Sequence, residues 1–342
     1  MCRKILLGCF IMMIAVIETS AVVRYVNENP SGRAVGSFWA NDYQPAPSAG
    51  SILYVKQNAG GGGSSWADAY SELADALLEA KTNANIKEIW VAAGAYKPLH
   101  AADGTSTEPR DRAFVLVEGL KIYGGFPADA NDTDHTSIST RGLAPLQNAT
   151  ILSGDLEGDD TDDPASKSDN AYHVVIGADI PVGETTLDGF IITGGNADSS
   201  STIFVNGQAV YRSTGGGIIN SYSFPTLKNL TVSGNTAYYD GGGIYNENSS
   251  PTLTNLTISG NTADWYGGGI CNIESSPTLT NVIISGNTAT SYSSSGGGIY
   301  NSSSSPTITN VTISGNTAAW GGGIYNYGSS SILTNVTISG NT

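Results

Sequence analysis

From Gly215 onward, apolar and polar positions recur in a fixed order. In GGGIYNENSSPTLTNLTISGNTA, which begins at Gly241, single apolar residues (Ile244, Leu253, Leu256, Ile258) are set among Gly, Asn, Ser and Thr. The order starts afresh at Gly215, Gly267, Gly296 and Gly321, and the steps between starts are 26, 26, 29 and 25 residues. A period of this length marks a solenoid or a propeller. A propeller blade needs four antiparallel strands with hairpin turns. Each unit here holds three short β-prone runs, GGGIYN, PTLT and LTIS. The pattern therefore predicts one three-walled coil of a parallel β-helix per unit.

Side chains alternate along a strand, so Ile244 and Tyr245 must face opposite ways. The column Ile218, Ile244, Ile270, Ile299 and Ile324 never becomes polar, which places it inside. The adjacent column holds Ile219, Tyr245, Cys271, Tyr300 and Tyr325 and is expected to form a half-exposed outer face. In the next run Leu253 points in while Thr252 and Thr254 point out. Asn255 follows at a corner, where Asn tolerates left-handed backbone better than other non-glycine residues. Leu256 and Ile258 then fill the third wall. Asn220, Asn246, Asn272, Asn301 and Asn326 form one recurring column; Asn235, Asn261, Asn287, Asn316 and Asn341 form another. Stacked roughly 4.8 Å apart, such amides can bond along the column as ladders, a structural role compatible with turn formation.

GGGIYN followed by ISGN resembles the paired GGA[IL] and FxxN repeats of polymorphic outer-membrane proteins. Gly243 and Ile258 stand where that family has Ala and Phe. The resemblance implies a right-handed parallel β-helix of the pectin-lyase-like class, in a secreted or surface-displayed bacterial protein. It is strong over Gly215–Thr342 and weaker through Leu187–Asn196, Ala149–Leu156, Gly119–Phe126 and Glu88–Tyr96. These upstream segments read as irregular coils with loops, spanning 87–212. The motifs are specific for fold and poor evidence of activity, because the architecture hosts lyases, hydrolases and adhesins alike.

The remaining domains follow from composition. Arg3 and Lys4 precede a short apolar run, Ile5–Ile17, and Thr19-Ser20-Ala21 offers a cleavage site, so 1–21 reads as a signal peptide. Cys9 imitates a lipoprotein box, a minor alternative. Once the signal is removed, Cys271 is the sole thiol and no transmembrane helix is expected. Residues 22–51, with Pro30, Pro45 and Pro47, read as a linker. In 52–86, Leu53–Lys56 suggests a strand, and Trp66–Lys81 carries a helical stripe (Ala69, Leu73, Ala76, Leu77, Ala80) expected to cap the first coil. Gly60–Gly63 lacks the Gly-Lys-Ser/Thr of a phosphate loop and reads as a flexible turn. The chain of 342 residues is thus read as all-β, one solenoid with a short N-terminal capping helix. It stops at Gly340-Asn341-Thr342, within a coil, which is read as a truncated frame.

Formal charge is −15, but from Ser213 onward there is one cation, Lys228, against four anions, Asp240, Glu247, Asp264 and Glu274. An acidic chain without a basic stripe argues against nucleic acid. A β-helix lyase needs a cation and an Arg or Lys base, and a glycosidase two facing carboxylates. The repeats supply neither, so no catalytic residue is assigned. An enzyme site would have to come from Lys97, His100, Arg110, Arg112, Asp155, His173 and Asp188, which form no recognisable motif. His173 reads as a hydrogen-bonded strand residue. The loop SGDLEGDDTDD gathers Asp155, Glu157, Asp159, Asp160, Asp162 and Asp163, the oxygen-rich composition of calcium ligands, and equally that of a solvated acidic loop.

Two outer faces are candidate binding surfaces. One carries Tyr245, Trp265, Tyr266, Tyr300, Trp320 and Tyr325, rings of the kind that meet sugars and protein partners or simply brace a wall. The other is a Thr grid (Thr252-x-Thr254, Thr278-x-Thr280, Thr307-x-Thr309), which resembles the arrays of ice-binding β-helices and is interrupted by Lys228 and Ile332. The expectation is an adhesive, passenger-like module binding glycan or a cell-surface protein. A polysaccharide-active enzyme with a site in coils 90–212, a stalk, and an ice-binding face are the alternatives.

Overall fold

A computed structural model describes residues 51–142, 148–161 and 164–342. The signal peptide, the linker up to residue 50, Cys9, Asp162 and Asp163 lie outside the described residues.

The described chain winds as a parallel β-helix. The first wall stacks Val175–Ile180, Ile218–Ser223, Ile244–Glu247, Ile270–Ile273, Ile299–Ser302 and Ile324–Tyr327 in that order. The second runs from Ile52–Val55 through Glu88–Ala92, Lys121–Phe126, Thr186–Asp188, Thr226–Lys228 and Thr252–Thr254 to Thr278–Thr280. The third passes from Gly94–Tyr96 through Thr150–Ser153, Ile191–Thr193, Thr231–Ser233 and Thr257–Ser259 to Ile283–Ser285. Its neighbour in both outer walls is one continuous strand, Thr307–Ser314. A two-residue ladder absent from the sequence reading adds a fourth side, where Thr236-Ala237 pairs with Thr262-Ala263 and that with Thr288-Ala289.

Register follows the repeat: Ile244 pairs with Ile270, and Ile270 with Ile299. That column, together with Leu253, Leu256 and Ile258, is buried in a single core that extends to the N-terminal helix. The corner Asn residues hold left-handed backbone, with φ of 50° at Asn229, 58° at Asn255 and 56° at Asn281. The three glycines divide their tasks. Gly241 has φ of 65°, while a Cβ on Gly243 would sit 2.6 Å from the Gly269 carbonyl oxygen of the next coil. In this stack, Ala at Gly243 would therefore require the facing backbone to shift.

Three amide columns run through the stack. Asn220, Asn246, Asn272, Asn301 and Asn326 are linked by Nδ2–H donation to the next Oδ1 at 2.8–2.9 Å. Asn235 through Asn341 are linked likewise at 2.9–3.0 Å, and each Nδ2 also donates to a third-wall carbonyl. The corner residues form an exposed ladder in which Asn255 donates to Asn229 and Asn281 to Asn255, each at 3.1 Å. A buried Ser column, missed in the sequence, accepts backbone N–H groups at Ser249, Ser275 and Ser304. Its signal was available, since each Ser lies three residues after a ladder Asn. The first ladder ends where Gly177 pairs with Asn220, and Asn220 Oδ1 there has no partner.

Three expectations need correction. The supposed half-exposed column is buried: Ile219, Tyr245, Cys271 and Tyr300 are at most 8% exposed and form a second apolar cluster with Ile203, Val205 and Val210. Those three belong to a hairpin, Thr202–Val205 with Gln208–Tyr211, so an insertion upstream of the repeats supplies apolar partners for that face. The helix α1 spans Leu73–Thr82 rather than beginning at Trp66. Upstream, Tyr70 bridges to Val55 instead, its N–H donating to the Tyr54 carbonyl and its carbonyl accepting the Lys56 N–H, so the backbone there is bonded to the first strand and not to a helical turn. Trp66 packs instead with Tyr54 and Phe126, ring centroids 5.0 Å apart in each case. The glycine turn is not a flexible one either, because Gly61 and Gly63 bond to the Ala69 and Asp68 carbonyls and Gly63 leaves no room for a Cβ beside Tyr70.

Candidate binding face

Beside the first wall, the residues just before each glycine triplet form an edge. Asp240, Tyr266, Ser295 and Trp320 occupy equivalent positions and pair in sequence as parallel bridges. The Tyr266 ring stacks on Tyr300 at 4.4 Å and 12°, and Tyr300 on Tyr325 at 5.7 Å and 3°. Ring stacking at coil spacing follows from the register that aligns Tyr300 with Tyr325. Trp320, Tyr327, Ser293 and Ser295 complete an open groove of about 530 Å³ over these rings. Ser293 comes from the stretch that makes the third coil 29 residues long instead of 26, so the insertion shapes the groove. Trp265, Tyr238 and Tyr239 are exposed at earlier positions in the chain.

Thus Trp265 and Trp320 are exposed as expected, Tyr266 and Tyr325 are half-buried, and Tyr245 and Tyr300 are buried. Tyr245 therefore offers its ring to the hairpin cluster and not to a ligand. On the second wall, Thr252 and Thr278 lie in register and exposed, with Lys228 and Ile332 interrupting the grid.

One titratable group borders the aromatic edge. Asp240 Oδ1 accepts the Tyr266 N–H at 3.2 Å, and burial pushes its carboxyl up from 3.8 to about 7 against the opposing effect of that bond. A carboxyl raised in the folded state stabilises most below its unfolded value, and the contribution is lost as pH rises toward the folded value. Asp240→Asn is accordingly expected to raise Tm at pH 8 and to lose most of that advantage at pH 4. Thermal melts of both proteins across this range check it; a gain independent of pH would contradict the assignment.

In the irregular coils, none of Lys97, Arg110, Arg112, Asp155 and Asp188 bonds to another of the five. The Lys97 ammonium donates to the Leu156 carbonyl. Arg110 pairs with Asp198 at 2.8 Å over the Tyr172 ring. Asp188 is buried against Arg141 at 3.2 Å and also accepts from Asn229 at 2.7 Å. His100 bonds Asp75 at 2.8 Å. His173 is buried and bonds the Gly215 carbonyl through Nδ1, the expected hydrogen bond, but it lies just before the strand Val175–Ile180 rather than in it, and its Nε2 has no partner among the described residues. Burial lowers its pKa to about 4, so it is neutral. Arg141 and Arg212, missed in the sequence reading, also bind distant segments together.

The acidic loop is folded on itself. Asp155 accepts the N–H groups of Gly158, Asp159 and Asp160. Asp160 is drawn aside by Asn170 at 3.0 Å, and Glu157 is exposed. Asp155, Asp159 and the unforeseen Asp169 bring one oxygen each within 4.8 Å of one another. Calcium takes six to eight oxygens, so most of a calcium shell would have to come from carbonyls or water.

The coils beside the aromatic edge match a known repeat. They carry the Chlamydia polymorphic membrane protein repeat, at residues 229–247, 255–273, 281–302 and 310–327. Each match begins at a corner Asn and ends in the following first-wall strand, so the repeat spans the third wall, the buried Asn, the glycine triplet and the aromatic position. No curated protein and no solved structure matches the chain. Polymorphic membrane protein repeats point to an outer-membrane or surface-associated protein. Among the described residues, no helix is long and apolar enough to cross a membrane.

Proposed function

We propose that the chain is a surface-exposed, passenger-like adhesive module that binds glycan through the aromatic edge of its repeats. The observation that carries this reading is the groove over the Tyr266–Tyr300–Tyr325 stack, bordered by the exposed Trp320 and Tyr327. Flat rings with polar handles offer a sugar both stacking area and hydrogen bonds. Few charges lie nearby, because the coils from Ser213 on contain one cation and four anions. Affinity should therefore change little with salt.

The test is a glycan array followed by calorimetry on the full chain. Trp320→Ala is expected to weaken a bound glycan about tenfold, and Trp265→Ala by less, since aromatic contacts contribute on the order of 1 kcal/mol beyond their area. Both side chains are exposed, so melting should be unaffected. No glycan bound, together with a Trp320-dependent protein ligand, would replace sugar by a protein surface as the partner. Uronate-lyase activity in the same preparation would return the enzyme reading to first place.

A further inference from the structure

We infer a second ligand site, separate from the repeats, that takes an organic anion with an apolar body. It is a pocket of about 510 Å³ between α1 and the loop around 99–113, within the usual range for small-molecule sites. Its apolar lining includes Leu77, Leu78, Leu99 and Val117. Leu78 and Leu99 are 50% and 42% exposed, large apolar surface that an occupant would cover.

Charge decides the class of ligand. Lys81 and Arg112 both line the pocket. Neither side chain has an ion-pair or hydrogen-bond partner among the described residues, whereas Arg110, Arg141, Arg212 and Lys121 are each paired with a carboxylate. Of the other titratable residues lining it, His100 bonds Asp75 and Glu108 accepts the Arg110 backbone N–H. In a chain of formal charge −15, two unpaired cations beside an apolar surface select an anion over a cation. Lys81 has a competing explanation, because it lies in the last turn of α1 and so answers the helix dipole. Arg112 has none, which makes it the diagnostic residue. The structure thus favours an aliphatic or aryl carboxylate, its acid at Arg112 and its body against the leucines.

Titration of the full chain with decanoate, read by displacement of 8-anilinonaphthalene-1-sulfonate, tests this. Saturable binding below about 1 mM is expected, with decanol and decyltrimethylammonium at least about tenfold weaker, the factor that corresponds to one retained charge interaction. Arg112→Gln should weaken decanoate about tenfold, and Leu99→Ser should weaken decanoate and decanol alike. Trp320→Ala should leave decanoate binding unchanged, which separates this site from the glycan-binding edge. Unaltered melting of each variant excludes unfolding as the cause. Equal affinity for the three decyl compounds, full binding by Arg112→Gln, or no saturation by the folded protein would each overturn the proposal.

Discussion

Ile270→Asp is expected to melt the coils on both sides of the substitution. The side chain is fully buried, and its strand pairs with Ile244 above and Ile299 below. A carboxylate there meets apolar neighbours, with no cation in the column to compensate it. Burying such a group costs several kcal/mol even when it becomes protonated. A solenoid coil is stabilised by its neighbours, so the loss spreads along the stack. Urea and thermal melts should show a destabilisation of about 4 kcal/mol or more. Tyr245→Ser should cost about 3 kcal/mol, because that ring is 6% exposed and packed in the hairpin cluster. Tyr292→Ser, at a ring 92% exposed, should stay within about 0.5 kcal/mol. Equal losses for Ile270→Asp and Tyr292→Ser would show that the column is not the core.

Asp111→Ala should be nearly as damaging, for an electrostatic reason. The Asp111 carboxylate is 0% exposed, and Arg212 grips it from across the chain through Nε at 2.6 Å and through a second nitrogen. Ser106 donates to the same carboxylate, and Arg212 also reaches Ser201 at 2.7 Å. Removing the acid leaves a guanidinium only 15% exposed without its counter-charge, which costs about 3–5 kcal/mol. Arg212→Met in the same background should recover a large part, because replacing a buried pair by apolar groups is often nearly neutral. A double variant no more stable than Asp111→Ala would mean that lost packing, not the stranded charge, causes the damage. The pair ties the loop around residue 106 to the strand that precedes the first regular coil. Its rupture should therefore also loosen the hairpin over Tyr245.

Much of the coil was legible because its stacking repeats one local decision. Ile244 and Tyr245 face opposite ways by backbone geometry alone, and the corner at Asn255 needs a residue that accepts positive φ. The acidic loop was legible as composition but not as geometry. Asp160, expected among the ligands, is turned toward Asn170 and the unforeseen Asp169 stands beside Asp155 and Asp159 instead, since a side chain's direction depends on the turn that Asp155 organises. The helix start failed for a related reason: the stripe includes Ala69, but the backbone of Ala69 and Tyr70 bonds to Gly61 and to the first strand.

By itself the sequence determined the parallel stack, its inward Ile column and the position of its Asn ladders. Each of these depends on contacts between identical residues one period apart, and a period is visible in one dimension. Only the tertiary structure decided which outward residues are free. Tyr245 and Trp265 look equally available as letters, yet one lies in the cluster with an upstream hairpin and the other is exposed. The groove at Tyr266 and the pocket at Arg112 arise in the same way, from segments that depart from the period. Where such a segment comes to rest depends on long-range packing that no local pattern encodes.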